Sequence, residues 1–352
     1  PFHQALQQRH IPVKILTQQA LNVRKESGLW QSLGSLGQLA PLIARVVQLS
    51  YSYDVLYANT QKALVVGAIA SVFSRRPLIY HLRDILSKEH FSQTNLRLAV
   101  TLANRCASLV IANSHATKEA FIQAGGQAKL VHVVYNGFDS NQYHVDVSKI
   151  KEIRHQLKIK DNFVVGHFSR LSPWKGQHIL IEALTHCSND FTALLVGDAL
   201  FGEDDYVRQL HQQVEQLGLK DRVHFLGFRS DIPELMAACD LVAHTSTAPE
   251  PFGRVIVEAM LCGTPVVAAA AGGAVELVKQ GETGWLITPN DSAKLAEMIN
   301  QVQADRVRSQ EIAHCAKLQA SQQFDLQTTN QQIAELLAVL LRHPKNPIMK
   351  NR

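Results

Sequence analysis

Short apolar runs alternate with helical segments along almost the whole chain, and this alternation constrains the fold more than any other feature. The runs are rich in Val, Ile and Leu on both faces, as strands buried between two layers of helices are. We predict strands at 13–17, 54–58, 78–81, 109–112, 131–135, 163–168, 193–196, 223–226, 241–244, 265–268 and 284–287. Strand–helix–strand units of this kind build doubly wound parallel sheets.

The chain of 352 residues is long enough for two domains of ordinary size. Polar and turn residues fill the stretch 136–161, which separates the two sets of strands. We therefore predict a Rossmann-like domain at 1–145, a second one at 146–327, and a closing helix at 328–352 that crosses back to the first domain. Because the chain opens with Pro1 rather than Met, we also expect sequence upstream of it.

Composition excludes several classes of protein. A hydrophobic content of 46% with 18% charged residues excludes a disordered or collagen-like chain. The five cysteines are odd in number and form no CxxC pair, which disfavours a disulfide scaffold or a thiolate zinc site and favours a reducing cytosol. The longest apolar stretch, 63–73, is shorter than the roughly 20 residues that span a bilayer.

Charge is divided unevenly between the two halves. Residues 1–150 hold 15 Lys and Arg against 7 Asp and Glu, whereas residues 151–352 hold 20 against 23. A partner with negative charge is therefore expected at the first half.

The first motif that can carry chemistry, HFSRLSPWKG, follows the predicted strand 163–168. It places Arg170 and Lys175 on one loop that leads into a helix. The helix N-terminus adds unpaired N–H groups and a partial positive charge. Together these groups can hold a diphosphate through charge-assisted hydrogen bonds. Two solvated surface cations are the alternative interpretation.

The second motif, EPFGRVIVE, runs from Glu250 to Glu258 and opens a helix near Arg254. The amides of Phe252, Gly253 and Arg254 are then unpaired donors at the helix start. Glu250 can accept hydrogen bonds from sugar hydroxyls, and Glu258, further into the helix, from the vicinal hydroxyls of a ribose. The alternative is a set of acidic residues that only complements the helix dipole.

A glycine pair, Gly272-Gly273, lies beyond this helix in the run GTPVVAAAAGG. Paired glycines allow a backbone to approach a ligand closely, and they serve a tight turn equally well. The sequence leaves both interpretations open.

The order of these motifs resembles that of the retaining glycosyltransferases of family 4. RLSPWKG, EPFGRVIVE, GTPVVA and GG occur together with VYNGFD, VGD, GFRSDIPELMAACD and GETGWLI in the family's order. The resemblance covers nearly the whole chain. It implies the GT-B fold, in which two Rossmann-like, doubly wound parallel-sheet domains face each other across a cleft and ligands bind at the carboxyl ends of the strands.

The resemblance also implies residues that hold a nucleotide diphosphate sugar. By this resemblance, Arg170 and Lys175 bind the diphosphate, and Glu250 binds the sugar together with the amides of Phe252, Gly253 and Arg254. Glu258 binds the ribose. Phe228 and Arg229 border the nucleobase. Of these, the catalytic candidates are Arg170, Lys175 and Glu250.

Two features depart from the family pattern. The family has a Gly-rich loop after its first strand, and this chain begins after that point, since 13–17 reads as the second strand. The family also often has His before Asp or Thr after the strand that matches 78–81. Here the sequence is IYHLRD, with Arg83 in that place and His81 two residues earlier. His81 and Arg83 are both candidates for lining the sugar pocket.

The reaction that the resemblance implies is transfer of a sugar to an acceptor hydroxyl with retention of the anomeric configuration. Arg170 and Lys175 would stabilise the charge that grows on the leaving phosphate. We therefore expect no required metal and no other cofactor. The expected donor is a UDP-sugar such as UDP-glucose, with a GDP-sugar as the second choice.

The acceptor is expected at the basic first half, and we expect no nucleic acid partner. Five cations there suit an anionic surface: Arg75, Arg76, Lys88, Arg97 and Arg105. They favour a saccharide or lipid-linked saccharide of polysaccharide or glycolipid synthesis as acceptor. They also favour a cytoplasmic protein in peripheral contact with the inner face of the cell membrane, against the alternative of an ordinary soluble surface.

Three other functions stay open at this stage. A nucleotide-sugar epimerase can share the GT-B fold and would release a free epimer. An NAD-dependent oxidoreductase is disfavoured because no GxGxxG follows a predicted strand. A non-catalytic protein that binds nucleotide sugars would differ from an enzyme in failing to hydrolyse the donor.

Overall fold

The strands form two separate parallel sheets, one in each half of the chain. The computed structural model describes residues 6–17, 29–159, 161–200 and 202–342. Within these ranges, one sheet has four strands and the other has six. The prediction of an α/β protein with two parallel-sheet domains is confirmed.

The first domain has the strand order β1-β2-β3-β4, with every neighbouring pair parallel. Its strands are β1 (Leu56–Ala58), β2 (Leu78–Leu82), β3 (Ala107–Ala112) and β4 (Val131–Val133). Its helices are α1 (Leu29–Ser50), α2 (Gln61–Ser74), α3 (Gln93–Cys106) and α4 (His115–Gln123). Leu64, Leu96 and Phe121 bring α2, α3 and α4 into one core on one face of this sheet.

The second domain has the strand order β10-β9-β8-β5-β6-β7, again parallel throughout. Its strands are β5 (Phe163–Phe168), β6 (Phe191–Val196), β7 (Val223–Gly227), β8 (Leu241–His244), β9 (Val266–Ala269) and β10 (Trp285–Ile287). Its helices are α5 (Val147–Gln156), α6 (Gln177–Ala183), α7 (Asp204–Gln216), α8 (Ile232–Ala237), α9 (Arg254–Cys262), α10 (Ala274–Leu277), α11 (Ser292–Ala304) and α12 (Arg306–Gln323).

Both faces of the second sheet are covered, which explains the continuous apolar sequence of its strands. Phe163 and Val165 of β5 belong to one core, and Val164 and Phe168 belong to another on the opposite face. The first core packs against α6, α7 and α11, and the second against α8, α9 and α12. A strand that is buried on both faces favours apolar residues at most of its positions.

The last described helix, α13 (Leu326–Arg342), packs against the first domain. Its apolar residues cover the second face of the first sheet, which presents Ile79, Leu109, Ile111 and Val134. The chain crosses between the domains twice at one place. The Phe138 amide donates to the Phe324 carbonyl oxygen (2.8 Å), and the Leu326 amide donates to the Phe138 carbonyl oxygen (3.0 Å).

The predicted strand at 13–17 is wrong, whereas the other predicted strands occur within two residues of the expected bounds. Residues 11–17 have no regular structure, and Ile15 is 64% exposed. A β-strand needs a neighbour to pair its backbone groups. Within the described ranges, the first sheet ends at β1, and 13–17 pairs with no strand. The domain limits 1–145, 146–327 and 328–352 stay a prediction.

Candidate active site

The strand order of the second sheet brings the two predicted motifs together. Chain order reverses beside β5, which lies between β8 and β6. Ligands of open α/β sheets bind at such a switch point, outside the carboxyl ends of the strands. The loop after β5 carries Arg170 and Lys175, and the loop after β8 carries Glu250.

A cavity of about 540 Å³ opens at this point between the two domains. The first domain contributes Arg83, Asn113 and Asn136 to its lining. The predicted site residues of the second domain all line it: Arg170, Lys175, Phe228, Arg229, Glu250, Phe252, Gly253, Arg254 and Glu258. Two loops that are far apart in sequence thus form one continuous surface with a third from the other domain.

Lys175 and Glu250 form a close ion pair in this cavity. Lys175 Nζ lies 2.7 Å from Glu250 Oε2, and the Glu250 side chain is only 12% exposed. His244 Nε2 (3.3 Å) and Ser246 Oγ (3.0 Å) reach the same carboxylate oxygen. Burial alone would raise the pKa of Glu250, but hydrogen bonds and charge from His244 and Lys175 outweigh it and hold that pKa well below the usual 4.5. Glu250 is therefore ionised.

The backbone around Lys175 is fixed by buried polar groups. Lys175 ends a 3₁₀ turn, Pro173–Lys175, and Trp174 packs its ring 3.9 Å from the ammonium nitrogen. His167 Nε2 lies 3.1 Å from the Lys175 carbonyl oxygen, and Thr245 Oγ1 donates to the Gly176 carbonyl oxygen (2.8 Å). Burial lowers the pKa of His167 to about 3, so this imidazole is neutral.

Glu203 holds the other predicted cation. Glu203 Oε2 lies 3.1 Å from Arg170 Nε, and Ser172 Oγ donates to Glu203 Oε1 (2.5 Å). Glu203 immediately precedes α7, so the start of that helix anchors Arg170 at the cavity. Arg170 and Lys175 together bring two positive side chains to one cavity, which suits a diphosphate.

The EPFG turn offers backbone donors to the cavity. Within the described part of the chain, the amides of Phe252, Gly253 and Arg254 donate to no protein acceptor. Phe252 lines the cavity, and its side chain is buried in the core of the second domain. Gly253 has a φ of 98°, which a residue with a side chain rarely adopts. Three consecutive free donors beside an ionised carboxylate suit a ligand rich in hydroxyl groups.

The glycine pair serves this turn. A Cβ on Gly272 would lie 2.3 Å from the Glu250 carbonyl oxygen, and one on Gly273 would lie 2.7 Å from Phe252 Cα. The Gly273 amide donates to the Glu250 carbonyl oxygen (2.6 Å). The close approach that the pair allows is to the turn that carries Glu250, and an approach to a ligand stays a prediction.

The remaining second-domain residues lie toward the rim. Glu258 accepts a hydrogen bond from Arg254 one helical turn earlier (3.0 Å). Phe228 is 81% exposed, and such a ring is available to pack against a planar ligand group. Arg229 forms two hydrogen bonds with Asp231, which raise its pKa.

The two first-domain candidates differ in position. Arg83 lines the cavity, with its guanidinium held by Asn59 Oδ1 (2.8 Å) and Asn136 Oδ1 (3.5 Å). His81 does not line it. His81 is buried in β2 with Nδ1 2.7 Å from the Tyr57 hydroxyl, and burial followed by the charge of Arg83 lowers its pKa to about 4. His81 is thus a neutral residue of the sheet.

Four contributors to the site belong to neither of the two predicted motif roles. His244 and Ser246 touch Glu250, Glu203 holds Arg170, and Asn113 lines the cavity. Each acts on a partner that is not its neighbour in a recognisable motif. The position of His244, as the last residue of a buried strand, is the one feature that could have marked it.

Among the residues that the structure describes, no group of three or more His, Cys, Asp or Glu side chains is arranged to hold a metal ion. Within the described ranges, no helix combines the length and the apolar character that crossing a membrane requires.

Comparison with known proteins gives matches along both halves of the chain. The sequence model for "Glycosyl transferase 4-like domain" matches residues 3–137, and that for "Glycosyl transferases group 1" matches residues 149–319. The capsular polysaccharide biosynthesis glycosyltransferase CapM of Staphylococcus aureus is 26% identical over 304 residues, which cover 82% of this chain and 77% of CapM. Spore coat protein SA of Bacillus subtilis is 30% identical over 210 residues, and the match spans 55% of its length.

A crystal structure of Anabaena HepE in complex with UDP-glucose is 64% identical to this chain, with a TM-score of 0.89. The match covers 96% of this chain and 89% of HepE. Other HepE crystals hold UDP, or UDP and glucose. By these matches, the chain belongs to the glycosyl transferases of group 1, of the family 4 type with the GT-B fold.

Proposed function

We propose that the chain is a metal-independent, retaining glycosyltransferase that moves a sugar from a UDP-sugar to a saccharide or lipid-linked saccharide. The observation that carries this proposal is the Lys175–Glu250 pair beside three unpaired backbone amides at the switch point of the second sheet. A cation at hydrogen-bond distance from a carboxylate, with free N–H groups alongside, matches a ligand that joins a diphosphate to a sugar.

In this proposal, each part of the donor has its own partners in the cavity. Arg170 and Lys175 take the diphosphate, and Glu250 with the amides of the EPFG turn takes the sugar hydroxyls. Glu258 takes the ribose hydroxyls, and the exposed Phe228 ring borders the base. UDP-glucose is the first choice of donor because HepE, at 64% identity, binds UDP-glucose and UDP. GDP-sugars have no comparable support.

The reaction breaks the bond between the anomeric carbon and the β-phosphate oxygen and forms a bond from that carbon to the acceptor oxygen. The electron pair of the broken bond stays on UDP, where Arg170 and Lys175 stabilise it. Retention follows if the acceptor attacks from the face that UDP leaves. The acceptor hydroxyl proton then passes to the departing phosphate oxygen. Glu250 positions the sugar in this scheme and forms no covalent bond.

The proposed function predicts that purified protein releases UDP from UDP-glucose and that excess EDTA leaves the rate unchanged. Two positive side chains supply the charge that a divalent cation supplies in other transferases. The measurement is UDP release with EDTA, with Mg²⁺ and with neither, combined with separation of the sugar products. Arrest by EDTA and recovery with Mg²⁺ would overturn the metal-free phosphate site. A free epimer of the donor sugar would indicate an epimerase. If UDP-glucose is not cleaved, a non-catalytic binding protein is indicated.

The acceptor side of the proposal rests on the first domain. CapM is named for capsular polysaccharide biosynthesis, so the family includes proteins of polysaccharide synthesis. A patch of exposed aromatic and apolar side chains, Tyr51, Val72 and Phe73, lies beside Arg75 and Arg76 at the end of α2. Tyr51 contacts both parts of the patch: its hydroxyl donates to the Phe73 carbonyl oxygen, and its own carbonyl oxygen accepts from the Arg76 guanidinium. Aromatic and basic residues together suit the surface of an anionic membrane.

We therefore expect a cytoplasmic protein that binds vesicles containing phosphatidylglycerol and not vesicles of phosphatidylcholine alone. Binding should weaken as salt rises, because the basic part of the interaction is screened. Co-sedimentation measures it. The double variant Phe73→Ser, Arg76→Ser should lose binding, and the matched surface variant Leu318→Ser, Arg308→Ser should keep it. Equal binding by both variants would place the membrane contact elsewhere or exclude it.

A further inference from the structure

The first domain holds the peptide group that presents the Phe252 amide to the cavity. Ser114 is the N-cap residue of α4, and its Oγ lies 2.5 Å from the carbonyl oxygen of Pro251. Thr117 Oγ1 lies 3.1 Å from the same oxygen. Pro251 belongs to the EPFG turn of the second domain, so two hydroxyl groups of one domain converge on one carbonyl of the other.

The Pro251 carbonyl and the Phe252 amide are the two ends of a single peptide unit. No peptide bond in the described chain is cis, so this C=O and this N–H point in opposite directions. A hydrogen bond that fixes the carbonyl toward Ser114 therefore fixes the amide on the side away from Ser114. Among the described residues the Phe252 amide has no protein acceptor, and Phe252 lines the cavity.

A second set of contacts holds α4 in place for this purpose. The carboxylate of Glu276, in α10 of the second domain, accepts hydrogen bonds from the His115 amide (2.9 Å) and the Ala116 amide (2.7 Å). These are first-turn amides, which have no partner within their own helix. The Tyr135 hydroxyl donates to the same carboxylate (3.0 Å). Burial, and then Glu276, raise the pKa of Tyr135, so its hydroxyl keeps the proton that it donates.

We propose that Ser114 and Thr117 are positioning residues, which orient the Pro251–Phe252 peptide so that its amide meets a hydroxyl group of the donor sugar. This inference rests on the proposed function for the identity of the ligand. Under this proposal, the contact between the domains affects the sugar end of the site and not the nucleotide end. The nucleotide end is formed by Arg170, Lys175, Phe228 and Glu258, all of which belong to the second domain.

Ser114→Ala tests the proposal, with Ser92→Ala as its matched control. Both serines cap helices of the first domain, but Ser92 caps α3 through the Asn95 amide and makes no described hydrogen bond to the second domain. Ser114→Ala should lower kcat/KM for UDP-glucose by about tenfold, as loss of one hydrogen bond predicts. The dissociation constant for UDP, by calorimetry, should change by less than about twofold. Ser92→Ala should change neither quantity.

Hydrogen exchange of the segment 248–256 gives a readout that needs no catalysis. Exchange should be faster in Ser114→Ala than in the wild type, and unchanged in Ser92→Ala. If the wild type fails to cleave UDP-glucose, the proposed function is wrong, and the exchange data still decide whether Ser114 orders the turn. Wild-type kinetics and exchange in Ser114→Ala would overturn the proposal, as would a loss of UDP affinity that parallels the loss of activity.

A second pair of variants covers the case in which Ser114→Ala does not fold. Thr117→Val keeps the shape of the side chain and removes its hydroxyl, whereas Thr117→Ser keeps the hydroxyl. The valine variant should reproduce the loss of kcat/KM and the faster exchange, and the serine variant should retain wild-type values. Equal behaviour of the two variants would contradict a role for the hydroxyl.

Discussion

Lys175→Ala is expected to lower kcat/KM for sugar transfer by roughly 100- to 1,000-fold, the range found when one preorganised donor to a developing negative charge is removed. Lys175 lies 2.7 Å from Glu250, the carboxylate that we propose faces the sugar. In the proposed reaction its charge is needed most when UDP departs. Steady-state kinetics with UDP-glucose measures the loss, and Lys220→Ala is the control because Lys220 pairs with Glu215 on the exposed surface.

The same variant leaves Glu250 buried without its closest cation. Removing one partner of a buried pair costs about 3–5 kcal/mol of folding free energy, so the melting temperature of Lys175→Ala should fall. The double variant Lys175→Ala, Glu250→Gln removes the uncompensated charge. It should recover melting temperature without recovering turnover, which separates the catalytic loss from the structural one. Wild-type turnover in the single variant would refute the diphosphate role of Lys175.

Glu250→Gln and Glu258→Gln are expected to affect different parts of the donor. Glu250→Gln should lower turnover roughly 10- to 100-fold, as loss of a charged hydrogen-bond acceptor predicts, while the affinity for UDP stays close to that of the wild type. Glu258→Gln should weaken binding of both UDP and UDP-glucose. Calorimetric titration of each variant with each ligand decides the matter. The opposite pattern would show that the two roles are exchanged. Wild-type behaviour in both variants would show that Glu250 and Glu258 only complement the dipole of the helix start.

The difference in stability between the wild type and Glu250→Gln should depend on pH in a defined direction. The folded-state pKa of Glu250 lies below its ordinary value of 4.5, so ionised Glu250 stabilises the folded protein above that pH. As pH falls through and below 4.5, the unfolded chain takes up a proton that the folded chain does not, and this contribution is lost. Denaturation of wild type and Glu250→Gln between neutral and acid pH should therefore show a wild-type advantage that shrinks toward acid.

Local sequence patterns were sufficient for most of the second domain. A strand such as β5, which is apolar on both faces, can be predicted from its own sequence. Ligand sites in such sheets lie in the loops that follow parallel strands. That rule selects Arg170, Lys175 and Glu250, which line the cavity, and their roles stay predictions. The strand predicted at 13–17 failed because apolar alternation indicates what a segment can become, whereas a strand also needs a paired neighbour.

Contacts between the domains could not be predicted in the same way. Ser114 and Pro251 are 137 positions apart, and neither belongs to a pattern that names the other. The same holds for Glu203. In the sequence it is one of three consecutive acidic residues at a helix start, and only the structure shows that it contacts Arg170. His81 is a candidate for the sugar pocket because it lies two residues before the position of the family's His, but it is buried within β2, whereas Arg83, just past the strand end, lines the cavity.

Because α13 covers one face of the first sheet, that face stays uncovered during synthesis on the ribosome until α13 has been translated. β1 to β4 are complete once residue 133 has left the exit tunnel, yet Ile79, Leu109 and Ile111 face water until Ile333 and Leu340 have been made. Nascent domains fold in turn from the N-terminus, and an uncovered apolar surface at that stage invites chaperones or other nascent chains. Nearly two hundred residues, an entire second domain, must be translated before the first is protected. Truncation by a premature stop codon after α12 would thus harm the domain that was translated first.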